Sequence, residues 1–146
     1  MTWSTNLDME EKPVRVVLDT NIFVSGILFG GKPKNVLELV YREQIQAVIS
    51  GSLLSELQET LLKKFKFSEK VILEMEKEIK DVFEFVYPKQ QLTILLDLDD
   101  NRVLEAAIEG KCGYIITGDK ELLLLKKFKN IKIITASDFL TRLNET

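Results

Sequence analysis

Three short apolar segments of this chain each lead, within three residues, to an aspartate. The segments and their aspartates are residues 14–18 with Asp19, residues 93–96 with Asp97, and residues 114–116 with Asp119. Short apolar runs of this kind are typical of strands buried on both faces of a parallel sheet. Because the carboxyl ends of parallel strands border one crevice, where ligands bind in open α/β sheets, we expect these carboxylates to converge.

Strand-like and helix-like segments alternate along the chain. Strands are predicted at residues 14–18, 45–49, 92–96, 114–117 and 131–134. Helices are predicted at residues 21–28, 33–43, 53–65, 68–86, 99–110, 119–127 and from 137 onward. This alternation predicts an α/β fold, a single-domain three-layer sandwich with a five-stranded parallel sheet. Residues 1–12 are polar and acidic, so we expect a flexible N-terminal tail before a domain that spans residues 13–146.

Composition excludes several kinds of catalytic site. Of the 146 residues, 45% are hydrophobic, which is enough for a normal core, and no apolar run reaches the ~18 residues of a membrane helix. A single cysteine rules out an internal disulfide and a cysteine zinc cluster, and the absence of histidine rules out Ser-His-Asp and Cys-His chemistry. A net charge of −3 argues against a general nucleic-acid coating protein, but not against a nuclease whose metal ion neutralises an acidic pocket.

Converging carboxylates repel one another unless a cation lies among them. A divalent-metal site, and with it phosphate-ester chemistry, is therefore the simplest interpretation. The alternative for each aspartate is a helix N-cap, because Asp is among the best capping residues. Asp19 is the least easily explained as a cap, since Thr20 and Asn21 follow it and are good caps themselves.

Three other features have both a structural and a functional interpretation. Asp97, Asp99 and Asp100 are too crowded to bind one metal ion together, so we expect at least one of them to cap a helix or orient a ligand. Glu56 lies off the apolar stripe of its predicted helix, and periodicity alone makes it a solvated side chain. The lysine–phenylalanine segment at residues 63–67 could contact RNA, but lysines are also favoured at helix C-termini.

Four segments, in this order and spacing, resemble the signature of the PIN-domain family. They are VLDTN at residues 17–21, SGSLLSEL at 50–57, DLDDNRVLEAA at 97–107 and YIITGDKELL at 114–123. The resemblance extends over residues 14–143 and is to the subgroup of toxin components of prokaryotic toxin–antitoxin pairs. Leu98 stands where that subgroup usually has proline, a departure that we expect to alter the rigidity of the loop and not the carboxylates.

The resemblance implies an acidic site that binds Mg²⁺ or Mn²⁺. Its catalytic and metal-binding residues would be Asp19, Glu56, Asp100 and Asp119, and its supporting residues Asn21, Thr117 and Asp97. The implied activity is that of an endoribonuclease that cleaves single-stranded RNA. A homodimer and a small antitoxin partner are also implied, and we expect a cytoplasmic protein without membrane association.

Two other functions fit parts of the pattern. An Asp-based phosphotransfer domain also places aspartates at parallel strand ends, and residues 97–99 resemble a DxD nucleophile pair. A dehalogenase-like or receiver-like enzyme of that class requires paired acids after its first strand, where this chain has one. A non-catalytic interaction module with a PIN-like fold is the second alternative, because fold alone does not establish activity. Loss of acidic positions would be its signature, and none is visibly lost.

Overall fold

Six strands form one sheet in the computed structural model, which describes residues 12–144. In chain order the strands are β1 (Arg15–Leu18), β2 (Gln46–Ser50), β3 (Glu84–Val86), β4 (Tyr114–Ile116), β5 (Lys127–Phe128) and β6 (Ile131–Ile134). The helices are α1 (Thr20–Leu28), α2 (Gly31–Tyr41), α3 (Gly51–Lys63), α4 (Glu69–Val82), α5 (Leu98–Glu109), α6 (Lys120–Leu125) and α7 (Ala136–Asn144).

The strand order across the sheet is β3-β2-β1-β4-β6-β5, and five of the strands are parallel. The predicted α/β sandwich with a five-stranded parallel sheet is therefore confirmed, with β5 as a short antiparallel addition at one edge. Residues 127–128 form this strand instead of ending the helix that the sequence predicts there. Most of the predicted tail, residues 1–11, lies outside the described residues. None of the helices between residues 12 and 144 has the length and apolar character that crossing a bilayer requires.

β1 lies in the middle of the sheet because it is apolar on both faces. Val16 and Val17 are successive residues and so point to opposite faces of the sheet, and both are completely buried. The strand pairs with β2 on one side and with β4 on the other. Helices must consequently cover both faces, as expected for a buried parallel strand, and α5 packs across β1, β2 and β4.

The third strand is not where the sequence predicts it. Residues 92–96 have a strand-like apolar pattern but are irregular in the structure, and Leu96 is 94% exposed. The strand is β3, which the sequence assigns to the end of a helix. That helix, α4, stops at Val82 because Phe83 adopts an extended backbone with φ −84° and ψ 148°. The segment that follows pairs with β2.

Side chains from α5 replace the strand pairing that the 92–96 segment lacks. Asn101 accepts a hydrogen bond from the Leu95 amide and donates one to the Leu95 carbonyl, both at 2.8 Å. Glu105 accepts from the Leu92 amide at 2.7 Å, and Arg102 donates to the Leu92 carbonyl at 2.9 Å. Because these backbone groups are satisfied, the segment is held against the start of α5 without joining the sheet.

The strand order reverses at β1. From β1 the chain proceeds to β2 and β3 on one side, and it later returns to place β4 on the other side. The carboxyl ends of β1 and β4 therefore border a crevice at the topological switch point, where open α/β sheets bind their ligands. Asp19 follows β1 directly, and Asp119 follows the end of β4 by three residues.

Candidate active site

Asp19 lies at the carboxyl end of β1, next to the end of β4. Its backbone amide donates a hydrogen bond to the Ile116 carbonyl at 3.0 Å, which extends the contact between the two strands by one residue. Its Oδ2 atom accepts a hydrogen bond from the Thr117 hydroxyl at 2.7 Å, and both side chains are buried. Asp19 occupies the N-cap position of α1, yet within the described residues its side chain makes no capping hydrogen bond. A capping role therefore does not explain this carboxylate.

The surroundings of Asp19 disfavour its negative charge. Burial raises the pKa of Asp19 above its ordinary value, the hydrogen bond from Thr117 lowers it, and the charge of Asp119 raises it again, while the backbone amides of Thr20 and Asn21 lower it to a smaller extent. The net direction is upward, because these donors do not fully replace the water that burial removes. A cation next to this carboxylate would restore its ionised form.

Thr117 links the two aspartates at this edge of the sheet. Its hydroxyl oxygen accepts a hydrogen bond from the Asp119 amide at 3.0 Å, and the same hydroxyl donates a hydrogen bond to Asp19. Asp119 in turn is the N-cap of α6, where its Oδ1 accepts from the amides of Glu121 at 2.8 Å and Leu122 at 3.2 Å. One oxygen of Asp119 thus caps the helix, and these bonds do not use Oδ2. For Asp119, capping and ligand binding are compatible.

Asp100 reaches the crevice from the first turn of α5 and not from a strand end. It is 5% exposed, and its Oδ2 is buried without a hydrogen-bond partner among residues 12–144. The pKa of Asp100 is raised to about 7, first by burial and then by nearby carboxylates, of which Asp119 is the strongest. A buried carboxylate oxygen without a partner is rare in folded proteins and calls for a ligand or another explanation.

Glu121 belongs to this cluster, and the sequence reasoning missed it. One carboxylate oxygen from each of Asp100, Asp119 and Glu121 lies within 4.8 Å of the other two. The only signal in the sequence was the position of Glu121, two residues after a predicted site aspartate and in the first turn of its helix. Acidic residues are common in first turns because they complement the helix dipole, so that signal did not distinguish a ligand from ordinary surface charge.

Glu56 is half-buried beside the cluster, so the solvated side chain that periodicity predicts is wrong. Its Oε1 accepts a hydrogen bond from the Thr20 hydroxyl at 2.9 Å. Burial raises the pKa of Glu56, the Thr20 hydrogen bond lowers it, and the charges of Asp99 and Asp19 raise it. Glu56 lies here because α3 begins directly after β2, so the first two turns of α3 lie over the carboxyl edge of the sheet.

The other predicted residues lie at the edge of the site. Asn21 is exposed, and neither Asn21 nor Thr20 caps α1 as the sequence predicts. The N-cap of α5 is Asp97, whose side chain accepts from the Asp99 amide at 2.9 Å. One of the three crowded aspartates therefore caps a helix, as expected, and it is neither Asp99 nor Asp100. The exposed charge of Asp97 still contributes to the raised pKa of Asp100.

A groove of about 720 Å³ opens beside the acidic residues, between α3 and α5. We call it the active-site groove. It is lined on the α3 side by Gly51, Ser55 and Glu56, and on the α5 side by Leu98, Asp99 and Arg102. The charges of Asp99, on the opposite wall, and of Asp19 both raise the pKa of Glu56. The groove therefore places Glu56 between solvent and Asp19.

The donor set suits a hard divalent cation. Carboxylate oxygens are the ligands that Mg²⁺ and Mn²⁺ prefer, and the buried Oδ2 of Asp100 lacks a partner among the described residues. Within residues 12–144 the ion pairs involve Glu59, Glu76, Glu84 and Glu105, not the clustered acids. Protein cations therefore leave this cluster unneutralised.

Comparison with known proteins decides the family. The PIN domain family profile matches residues 15–121 of the chain. The chain belongs to the PIN-domain family. The uncharacterized protein MJ1680 of Methanocaldococcus jannaschii is 32% identical over 145 residues, which cover 90% of this chain and 93% of that protein. The matched range contains every acidic residue that the sequence predicts for the site, and it ends at Glu121.

Solved structures share the fold of this PIN domain. VapBC2 from Rickettsia felis, bound to a DNA fragment from its promoter, gives a TM-score of 0.56 at 20% identity over 82% of this chain and 97% of that chain. PAE2754 from Pyrobaculum aerophilum gives 0.56 at 16% identity over 92% of this chain and 91% of that one. The T. brucei RRP44 PIN domain gives 0.56 at 13% identity, over 92% of this chain and 83% of that one.

The raised pKa of Asp100 predicts a pH-dependent stability of the metal-free PIN domain. In the folded protein Asp100 keeps its proton up to about pH 7, whereas in the unfolded chain it ionises near 3.8. The folded state therefore binds more protons between these values, so the free energy of unfolding falls as the pH rises through this range. In Asp100→Asn this dependence is weaker, and at pH 8 the variant is more stable than wild type, because it lacks the charge that burial and the neighbouring carboxylates disfavour.

Urea unfolding in EDTA at pH 5 and pH 8 measures this difference. Asp81→Asn is the matched control, because Asp81 is an exposed aspartate on α4, outside the cluster. An Asp100→Asn variant that is less stable than wild type at pH 8 would contradict the prediction.

Proposed function

We propose that this PIN domain is a metal-dependent endoribonuclease that cleaves single-stranded RNA. The proposal rests on one observation: carboxylate oxygens of Asp100, Asp119 and Glu121 lie within 4.8 Å of one another, near enough to Asp19 for its charge to act on Asp100. One oxygen of Asp100 is buried there without a partner among the described residues. Carboxylates in this arrangement fit Mg²⁺ or Mn²⁺. When bound there, the ion supplies charge neutralisation and Lewis-acid polarisation of a phosphate oxygen.

Asp19, Asp100 and Asp119 are the proposed metal ligands, together with Glu121. Thr117 positions Asp19 through its 2.7 Å hydrogen bond and also fixes the start of the loop that carries Asp119. Such supporting groups hold a carboxylate in the orientation that its ligand requires. We assign weaker supporting roles to Asn21 and Asp97, which lie at the exposed rim of the site.

Glu56 is the proposed general base. Its Oε1 is occupied by the Thr20 hydroxyl, which leaves Oε2 to accept a proton from the attacking water. Burial raises the pKa of Glu56, and a base whose pKa lies nearer the operating pH transfers protons more effectively. The chain has no histidine, so a carboxylate is the natural candidate for this step.

The substrate proposal follows from the active-site groove and the charge of the protein. A single strand can lie along the groove between α3 and α5 and bring one phosphodiester to the acidic cluster. With a net charge of −3 the protein has little general attraction for nucleic acid. Binding therefore depends on the metal ion and on local contacts within the groove.

A toxin role with an antitoxin partner is the finer part of the proposal. It is supported by the four sequence motifs and by the structural likeness to VapBC2. An apolar groove of about 420 Å³, lined by Phe23, Ile27, Tyr41 and Met75, lies away from the acidic cluster and fits the apolar face of an amphipathic helix. We propose that the antitoxin binds there, and that the toxin is a homodimer.

The nuclease proposal predicts metal-dependent cleavage that depends on the clustered aspartates. With Mg²⁺ or Mn²⁺ the wild type cuts a fluorescent single-stranded RNA, and EDTA abolishes the cutting. Asp19→Asn and Asp100→Asn keep the side-chain size but lose the charge. We expect each to reduce kcat by more than about 100-fold, beyond the range typical of residues that only orient ligands.

Asp81→Asn is again the control and should leave kcat unchanged, because Asp81 is exposed on α4. Equal cleavage by wild type and Asp19→Asn would mean a contaminating nuclease. If no tested RNA is cut while all variants remain folded, the non-catalytic interaction module becomes the better explanation.

The role of Glu56 predicts a pH effect of Thr20→Val. The Thr20 hydroxyl lowers the pKa of Glu56, so its removal raises that pKa and keeps the base protonated to higher pH. The acid limb of the kcat profile should therefore shift to higher pH, and the loss of activity should be larger at pH 6 than at pH 8. Thr20→Ser retains the hydroxyl and should keep the wild-type profile. A uniform loss across the pH range would exclude Glu56 as the base.

The partner proposal predicts that the product of the neighbouring reading frame co-purifies with the wild type. Ile27→Glu places a charge in the apolar groove and should abolish that association while RNA cleavage persists, because the groove and the acidic cluster use different residues. Light scattering of the isolated protein reports the dimer independently. Co-purification with undiminished yield in the variant would place the partner elsewhere.

A further inference from the structure

A second groove continues from the active-site groove at the edge of the sheet. It has a volume of about 440 Å³ and is lined by Gly51, Lys80, Phe83, Phe85 and Tyr87. Gly51 also lines the active-site groove, on the same side as Glu56. The two grooves therefore meet at Gly51, the first residue of α3. We call the second one the aromatic groove.

The aromatic groove has the side chains that bind an unpaired nucleotide. Tyr87 follows β3 directly and is 77% exposed, so most of its ring faces solvent. Phe85 is half-buried and packs against the core, which makes it a fixed wall. Lys80 supplies a cation; its ammonium pairs with Glu76 at 2.8 Å, but the lysine side chain stays 56% exposed. An exposed aromatic ring beside a cation is the usual combination for stacking a base and holding its phosphate.

We propose that the aromatic groove is a nucleobase subsite for single-stranded RNA. It would bind a nucleotide next to the cleaved phosphodiester, with the strand crossing Gly51 between the two grooves. The subsite rests on the proposed nuclease function and extends it to substrate selection. It selects single strands because the base of a duplex is already stacked on both faces, and only an unpaired base can stack on Tyr87.

Gly51 offers a direct way to block the crossing. A Cβ atom placed on Gly51 would meet nothing within 4 Å, so the fold tolerates a larger side chain at this position. Gly51→Glu puts a carboxylate in the first turn of α3, where negative charge favours the helix. The same carboxylate would repel an RNA phosphate. The variant is therefore expected to keep or raise thermal stability while it weakens RNA binding, a combination that misfolding does not produce.

Binding and cleavage are measured separately. Binding uses fluorescence anisotropy of a labelled single-stranded RNA of about ten nucleotides with Mg²⁺. The background is Glu56→Gln, which lacks the proposed base but keeps the proposed metal ligands, so the RNA stays intact. Tyr87→Ala should raise Kd about tenfold or more, the size expected for loss of one stacked base. Gly51→Glu should raise Kd by a similar factor, because its carboxylate repels the strand where it crosses between the grooves. Tyr87→Trp should retain the affinity. Phe29→Ala is the control, because Phe29 is equally exposed at 76% but lies at the end of α1.

Cleavage by the otherwise wild-type protein gives the second readout. Tyr87→Ala should raise KM for the long RNA and leave kcat unchanged, because the subsite contributes binding that is the same in the ground and transition states.

The two proposals fail in different ways. If the wild type cuts RNA and neither Tyr87→Ala nor Gly51→Glu changes Kd or KM, the subsite is overturned and the nuclease stands. If RNA binds in a Tyr87-dependent manner without being cut, the subsite stands and the nuclease proposal fails. If duplex RNA binds as tightly as the single strand and with the same dependence on Tyr87, selection by base stacking is wrong.

Discussion

The pairing of β1 with β4 is the constraint on which the site depends. Val16 and Val17 are completely buried in the centre of the sheet, so the path of β1 is set by core packing. The last backbone hydrogen bond between the two strands' ends involves Asp19 itself, and the Thr117 hydroxyl adds a side-chain bond at the same point. The position of Asp19 is therefore fixed by the core. Asp100 is in the first turn of α5, which packs across β1, β2 and β4, so the core positions this second carboxylate as well.

Much of the sheet, and the positions of Asp19 and Asp119 at its carboxyl edge, can be predicted from the sequence because strand ends have a plain signature. A buried parallel strand is a short apolar run, and an aspartate after such a run must lie at the carboxyl edge. The same signature fails for residues 92–96, whose apolar pattern matches a strand. Whether a segment pairs with a neighbouring strand depends on which groups form hydrogen bonds with its backbone amides and carbonyls. In residues 92–96 the side chains of Asn101 and Glu105 accept from backbone amides 6 and 13 residues away in the sequence. Strand pairing and hydrogen bonds from α5 side chains compete for the same backbone groups, and the local apolar pattern does not show which of the two forms. Asp100, which only the family resemblance assigns to the site, reaches the crevice from the first turn of α5.

Glu56 and Glu121 show a different limit. Periodicity shows which face of a helix is apolar, but not what lies next to its polar face. By periodicity alone, a glutamate beside an acidic crevice therefore cannot be distinguished from a solvent-exposed glutamate. The resemblance to a family assigns Glu56 to the site where the residues alone do not, and that assignment stays a prediction. Glu121 had no such support, and only the 4.8 Å clustering of oxygens distinguishes it from a first-turn acid that complements the helix dipole. The polar residues of a site function through their positions relative to one another. Those relative positions are set by the folded structure and are not visible in a local sequence pattern.

The acidic cluster conflicts with stability, and that conflict explains its composition. Within the described chain the lysines and arginines that form ion pairs do so with other acids, and burial already raises the pKa of Asp19 and Asp100. A lysine at the centre of the cluster would remove the repulsion permanently, but in the proposed nuclease it would also occupy the space that a phosphate needs. An exchangeable cation would relieve the same repulsion and leave its outer side open to the proposed substrate. The repulsion that destabilises the cluster without metal would then favour binding of the ion, since any ligand that binds only the folded state stabilises it.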